Sequence, residues 1–196
     1  MRQLILASAS PQRRELLEGL GIPFRTHVSR VAEADVLEHD PVVRASLLAR
    51  LKAEDVAVSH PEGWIIGCDT LVVAWNGTLL EKPAHAKEAR AMIALQSGHV
   101  SSVHSALCVL TPEKKIFEGV SSSSVHFKHL TEREIAWWVA GGCWKERSGA
   151  FQIDGPGQLL IEHIAGDWSG IVGLPVFLLG KLLQDAEWDL LNAQKC

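Results

Sequence analysis

Three basic and two acidic side chains sit where regular packing would prefer something else, and the basic ones could hold a phosphate. Asp69 lies inside Trp64-Ile65-Ile66-Gly67-Cys68-Asp69-Thr70-Leu71-Val72-Val73, a run that reads as a core strand. A carboxylate buried there costs several kcal/mol unless a cation or metal ion meets it, so a functional reading outweighs a structural one. Arg13 follows a strand–loop–helix turn whose free amides form an anion site, and its guanidinium could grip a phosphate bidentately, although a solvated helix arginine is the better reading of the residue taken alone. Lys52 stands beside the apolar stripe of a helix. Its ammonium either points into a cleft or snorkels to water, and snorkelling is the better reading of the residue taken alone. Lys82 is fixed before Pro83 at the end of a hairpin strand, near the mouth of the same strand pair. Glu33 falls in a loop, where a solvated carboxylate is the ordinary reading. These residues gain weight as a set.

The elements that must position them follow from periodicity and punctuation. Gln3 to Ala7 is a short strand ending in Ser8-Ala9-Ser10-Pro11. Ser10 then caps a helix with Pro11 at its first position and Leu16, Leu17 and Leu20 as its stripe. Phe24 to Val28 reads as a second strand. Asp40-Pro41 opens a longer helix whose stripe runs through Val43, Leu47, Leu48 and Leu51, with Lys52 directly after. Trp64 to Trp75 forms a hairpin through Asn76-Gly77 with Leu79-Leu80-Glu81-Lys82-Pro83. Ala86 to Leu95 reads as a helix, and Val100 to Leu110 and Ile116 to Phe127 as strands around Thr111-Pro112-Glu113-Lys114. Thr131-Glu132-Arg133-Glu134 is a capping box that opens a helix through Ile135, Trp138 and Val139. A glycine-rich loop at Gly155-Pro156-Gly157, a strand from Leu159 to Ile164 and a helix from about Leu174 to Asp185 complete the order. Alternating strands and helices with hairpins predict an α/β domain with a mixed sheet flanked by helices.

Composition narrows the chemistry further. The 196 residues fit a single domain spanning 1–196, and with 47% hydrophobic residues the chain needs no staple to fold. Cys68, Cys108, Cys143 and Cys196 lie far apart with no C-x-x-C pair, which argues against a disulfide scaffold or a zinc site and for a reducing cytoplasm. The first residues, Met1 to Ser8, carry an apolar run too short for a signal peptide, and no segment is long enough to span a bilayer, so no membrane partner is expected. A formal charge of −4 gives no general attraction to nucleic acid. Any phosphate site must therefore be locally basic.

Several routes close. The chain lacks G-x-x-x-x-G-K-[ST], G-x-S-x-G and H-E-x-x-H. Gly155-x-Gly157 resembles a dinucleotide loop only as far as Leu160, which stands where the third glycine would be. The nine histidines show no pair at metal-ligand spacing on one helix face. Cys68 beside Asp69 reads better as a small thiol in a buried strand than as a nucleophile.

At this point a resemblance enters. Leu4-Ile5-Leu6-Ala7-Ser8-Ala9-Ser10-Pro11-Gln12-Arg13-Arg14-Glu15-Leu16-Leu17 resembles the opening motif of the Maf family, and the likeness runs through nearly the whole chain. Glu33, Leu51-Lys52-Ala53, Gly67-Cys68-Asp69-Thr70, Glu81-Lys82-Pro83, Gly149-Ala150-Phe151-Gln152-Ile153-Asp154-Gly155 and Val172-Gly173-Leu174-Pro175 look like the family's other motifs, in order. The resemblance implies an elongated, two-lobed α/β fold of Maf/ITPase type, a cytoplasmic homodimer, and a pyrophosphatase that cuts nucleoside triphosphates with Mg²⁺, or Mn²⁺ or Co²⁺. It implies Asp69 as the base that activates water, with Glu33 and Lys82 in the catalytic group, Ser8, Arg13, Lys52 and Lys82 on the phosphates, and Asp69 and Glu33 toward the metal.

The departures concern the base. Family members acting on dTTP and UTP usually carry arginine, threonine and glutamine at the positions matching Gln12, Thr70 and Asp154. Those acting on 7-methyl-GTP carry tryptophan and glutamate at the first and third. Thr70 fits the first group, Asp154 leans chemically toward the second, and Gln12 fits neither. The expected substrates are dTTP and UTP, with 7-methyl-GTP or a broader set of modified nucleotides as the alternative. A purine house-cleaning pyrophosphatase is a rival enzyme. A nucleotide-binding regulator of septum formation without turnover is a rival of another class, but it would need a missing catalytic group, and none is missing.

Overall fold

The run that carries Asp69 does form a strand, and it becomes the centre of the molecule because it can pair on both sides. The computed structural model describes residues 3–189. Strand β1 (Leu4–Leu6) pairs in parallel with both β2 (Phe24–Thr26) and β3 (Trp64–Val73). On its other side β3 pairs antiparallel with β5 (Val100–Leu110), then come β6 (Ile116–Phe127) and β7 (Ile161–Ala165), while β4 (Leu79–Leu80) folds back on the far end of β3. The result is a seven-stranded mixed sheet in the order β2-β1-β3-β5-β6-β7, as the α/β reading expected. Short parallel strands need helical crossovers, and α1 (Pro11–Glu18) and α2 (Pro41–Ser59) supply them.

The period of two along β3 divides the core. Ile65, Gly67, Asp69 and Leu71 point toward α2, where Ile5, Ala45, Ala49, Ala53, Val56 and Ala106 complete one apolar cluster. Trp64, Ile66 and Cys68 point the other way, against Leu17 of α1 and Leu179, Leu182 and Leu183 of α6 (Val176–Asp185). Further along, Val72, Val103 and Val125 pack with α3 (Ala86–Gln96) and α4 (Glu132–Gly141) around Trp138 and Phe151.

Helix ends follow the caps read from sequence. Ser10 Oγ accepts from Arg13 N, and Asp40 accepts from Val42 N at 2.8 Å and Val43 N at 3.1 Å, with Pro11 and Pro41 opening the two helices. Thr131 and Glu134 form the reciprocal capping box of α4. The hairpin turn uses Gly77 at φ +84°, a conformation that favours glycine.

Four expectations need correction. The stripe read on α2 is mostly its outer face, since Val43, Leu47 and Leu51 are exposed and only Leu48 points inward. The inner face is built from Ala45, Ala49 and Ala53 because α2 lies so close to β3 that a Cβ on Gly67 would overlap the Ala49 carbonyl. Large side chains are excluded there, so hydrophobicity alone marked the wrong side. The second strand stops at Thr26 rather than Val28. The strand near the carboxyl end runs from Ile161 to Ala165, because Gly155 to Leu159 forms a 3-10 turn rather than an open loop. The final helix begins at Val176, and a separate short helix α5 (Trp168–Val172), closed by Gly173 at φ +126°, precedes it.

Cys68, Cys108 and Cys143 are free thiols, while Cys196 and the amino-terminal Met1-Arg2 lie outside the described residues. No helix among the described residues is long and apolar enough to cross a membrane.

Candidate functional site

The site forms where β1 and β3 leave the sheet centre, and its middle is an ammonium held by two carboxylates. Lys52 Nζ lies 2.6 Å from Asp69 Oδ1 and 2.7 Å from Glu33 Oε1. Asp69 and Lys52 are both buried, whereas the Glu33 side chain remains 55% exposed on a 3-10 turn, Glu33–Asp35, rather than in an open loop. Lys52 therefore does not snorkel. Its position on the inner, alanine-rich face of α2 carries the stem over β3, and the two carboxylates replace the water that the ammonium would otherwise seek. The carboxylate of Asp69 is met by this cation through one oxygen only, since Oδ2 is buried with no hydrogen-bond partner.

Three positive charges converge on Glu33. Burial works against its ionisation, yet the hydrogen bond and charge of Lys52, then the charges of Lys82 and Arg13, hold its carboxyl below the ordinary range. Lys82 is the outermost of these, 60% exposed, with its ammonium 3.5 Å from Glu146. Such an exposed pair contributes little to stability, so the Lys82 ammonium can change partners at small cost.

Arg13 differs from the expectation. Its guanidinium is turned into the protein, donating from Nε to Gly173 O at 2.9 Å and from Nη1 to Ser8 Oγ and Cys68 O, both at 3.2 Å. Nη2 donates to Thr70 Oγ1 at 3.1 Å. Four of its five N–H donors are thus occupied, which leaves one for an anion rather than the two of a bidentate grip. None of the four acceptors is a carboxylate, so the charge itself is not neutralised by contact.

The remaining expected residues are placed unevenly. Ser8, nearly buried, accepts from Ser10 N and from Arg13 and keeps its own hydroxyl proton. Gln12, half-buried on α1, has its side-chain oxygen bound by Ser10 Oγ at 3.0 Å, which leaves the amide N–H groups uncommitted. Thr70 belongs to the Arg13 network. Asp154 is exposed ahead of the Gly155–Leu159 turn, and no hydrogen bond or ion pair among the described residues joins its side chain to the cluster. Cys68 is fully buried and its thiol is pushed up to about 11 by burial, against the opposing charges of Arg13 and Lys52, so it is no nucleophile at neutral pH.

Sequence reasoning missed Ser105 and the Gly173 carbonyl. Ser105 is fully buried opposite Thr70 across the β3–β5 ladder, on the face that also takes Val103, Leu107 and Val109. A hydroxyl between Val103 and Leu107 on that face was the available signal, because a buried hydroxyl must find a partner. No group of three or more His, Cys, Asp or Glu side chains arranged to hold a metal ion occurs among the described residues.

A nucleoside-triphosphatase / dITP/XTP pyrophosphatase from Mycobacterium abscessus overlaps in structure at a TM-score of 0.40 with 14% identity, covering 65% of this chain and 75% of that one. Sequence relatives are far nearer. A dTTP/UTP pyrophosphatase from Deinococcus radiodurans is 44% identical over 94% of this chain and 93% of its own length. Proteins of the same name from Pyrococcus furiosus and Treponema denticola are 38% and 39% identical, covering 94% and 97% of this chain and 95% and 100% of theirs. The family model described as Maf-like protein matches residues 3–186, and the chain belongs to that family.

Proposed function

We propose that the protein hydrolyses nucleoside triphosphates to the monophosphate and pyrophosphate, with dTTP and UTP as its preferred substrates. The observation that carries this reading is Lys52 held between Asp69 and Glu33, with the charges of Lys82 and Arg13 also falling on Glu33. Arg13 meets no carboxylate and Lys82 is held only by an exposed pair with Glu146, so two positive charges are available to a triphosphate. The names of the relatives supply the substrate.

In the reaction water attacks the α-phosphorus, the bond between that phosphorus and the bridging oxygen to the β-phosphate breaks, and pyrophosphate leaves with the bridging oxygen. Asp69 Oδ2, the carboxylate oxygen without a partner, is available to take the proton of the attacking water. Lys52 holds the other oxygen of the same carboxylate and fixes its plane. As charge builds on the leaving oxygens, Lys82 can leave Glu146 for them, and Arg13 adds its free N–H and its unneutralised charge. Gln12 keeps its N–H donors uncommitted, which suits a carbonyl oxygen of uracil or thymine.

A divalent ion fits the same residues. Its hard-cation chemistry matches carboxylate oxygens, and Mg²⁺ is commonly held by one or two carboxylates with substrate phosphates filling the rest. Asp69, through its orphaned Oδ2, and the half-exposed Glu33 would hold it, a role of Asp69 alternative to that of proton acceptor. When bound, such an ion would offset phosphate charge and make nearby water more acidic.

A panel of dTTP, UTP, CTP, GTP and 7-methyl-GTP with Mg²⁺, scored separately for pyrophosphate and orthophosphate, tests the reading. Pyrophosphate release fastest with dTTP and UTP is the expected result. Orthophosphate as product would refute the reaction, and a preference of about tenfold, or 1.4 kcal/mol, for 7-methyl-GTP would refute the substrate choice.

A further inference from the structure

Glu33 belongs to a segment that packing does not hold. Between β2, which ends at Thr26, and α2, which begins at Pro41, Val28 is 55% exposed and Leu37 82% exposed, so little apolar burial fixes the chain there. Its polar contacts are arranged instead along α2. The His27 ring meets that of His60, the residue that closes α2, with 2.9 Å between Nδ1 and Nε2. Three residues on, Arg30 N donates to Asp55 Oδ2 at 2.8 Å. Three further, Glu33 Oε1 lies 2.7 Å from Lys52 Nζ. Residues 27, 30 and 33 thus meet 60, 55 and 52, and the segment runs back along the helix fastened at every third position. Among the described residues the bond to Asp55 is the only hydrogen bond that ties 28–32 to another element, since Val31 N turns to Ser29 Oγ within the segment.

We infer that Asp55 is a positioning residue for Glu33, pinning the backbone at Arg30 so that the glutamate is held on Lys52, without touching the substrate itself. This rests on the triphosphate reading of the site. Lys52 and Asp55 are three residues apart on α2, which sets the ammonium and the anchoring carboxylate on neighbouring rows of one side of the helix. One rigid element therefore carries both the cation that Glu33 meets and the anchor that brings Glu33 to it. The charges that act on Glu33 are those of Lys52, Lys82 and Arg13, so Asp55 reaches it through the backbone rather than through its own field. Without the pin, the contact with Lys52 would have to order the segment alone, and a half-exposed glutamate on an unpinned loop spends less of its time in place.

Two measurements test the pin, one of them independent of turnover. Against the opposing effect of burial, the hydrogen bond and charge of Lys52 hold the Glu33 carboxyl below the ordinary range, so an NMR titration of Glu33 reports whether it sits on the ammonium. Asp55→Ala should move that midpoint up toward the ordinary glutamate value. Asp55→Asn keeps an acceptor oxygen for Arg30 N and should return the midpoint toward wild type. With dTTP and Mg²⁺, Asp55→Ala should lower kcat about fivefold, the scale of one lost exposed hydrogen bond, with KM changed by about twofold at most and the rate restored by asparagine. In a Glu33→Gln background the same substitution should cost nothing further, because a residue that acts through Glu33 has nothing left to position. A lesion of α2 independent of Glu33 would instead multiply the two losses and would not be rescued by asparagine. An unmoved Glu33 midpoint in Asp55→Ala overturns the inference, and so does a loss of kcat that persists in full in the Glu33→Gln background. A raised midpoint with kcat unchanged overturns it as well, since Glu33 would then be displaced without consequence. A midpoint that rises in protein that hydrolyses no nucleotide keeps the pin and refutes the pyrophosphatase reading.

Discussion

Replacing Lys52 by methionine keeps most of the buried stem and removes the charge between two carboxylates. Taking one partner out of a buried ion pair costs about 3–5 kcal/mol, because the charge left behind has lost both water and counterion. Here Asp69 is buried, but Glu33 is 55% exposed and regains water, so the lower end of that range applies, about 3 kcal/mol. For a chain of this size each kcal/mol shifts Tm by about 2–4 °C, so Lys52→Met should melt roughly 6–12 °C below wild type. Lys82→Met should melt within about 2 °C of wild type, since its pair with Glu146 is exposed. The missing charge can also be supplied from solution. An ion present at a hundredfold its dissociation constant adds about 2.7 kcal/mol to the folded state, so millimolar Mn²⁺ should raise the Tm of Lys52→Met more than that of wild type. Thermal denaturation of the three proteins, with and without Mn²⁺, makes the comparison. Equal melting temperatures for Lys52→Met and wild type, or equal losses at Lys52 and Lys82, would refute the account of Lys52 as the cation that makes Asp69 tolerable in the core.

Asp69→Asn should retain the fold and nucleotide binding while lowering kcat by about two orders of magnitude or more, the scale of a lost general base, and unfolding with undiminished residual turnover would mark Asp69 as structural. Glu134 offers a pH prediction. The ammonium of Lys128, then the backbone N–H and hydroxyl of Thr131, lower its carboxyl to about 2. A depressed carboxyl stabilises the fold above its ordinary value near 4.3 and loses that contribution as pH falls through the folded value. The stability difference between wild type and Glu134→Gln should therefore be full at pH 6 and fade toward pH 2, and an NMR titration midpoint near 4 would contradict the capping box as drawn. Cys68 should resist thiol reagents at pH 8 in the native protein and react on denaturation, as measured by absorbance with an aromatic disulfide, because burial holds its thiol near 11.

Asp69 was legible because an ionisable group inside Ile65-Ile66-Gly67-Cys68 and Leu71-Val72-Val73 contradicts its surroundings, and such contradictions are visible without coordinates. The bounds of β5 and β6 were equally legible, since a Pro-containing turn separates two long β-rich runs that pair with each other. What could not be read depends on approach between distant segments. Lys52 finds Asp69 across 17 positions and Arg13 finds Gly173 across 160, and neither partner leaves a mark in the other's local sequence. The inner face of α2 was misread for the same reason, because alanine scores as weakly apolar until a helix must lie against a strand too closely for leucine. Arg13 taken alone reads as a solvated helix arginine, and its inward orientation follows from four acceptors contributed by Ser8, Cys68, Thr70 and Gly173.

The closeness of α2 to β3 has a consequence for how the site keeps its dimensions. Between Ala49 and Gly67 no side chain intervenes, so the separation of the two elements is set by the hard radius of a peptide group. A side-chain spacer has rotamers and yields when its neighbours are changed, whereas a backbone spacer has a single thickness. Lys52 lies three residues beyond Ala49 and Asp69 two beyond Gly67, so the gap between ammonium and carboxylate is measured from that contact as from a fixed stop. Substitutions in the surrounding core would move helix and strand together as one plate and leave the gap between the reacting groups at its original width.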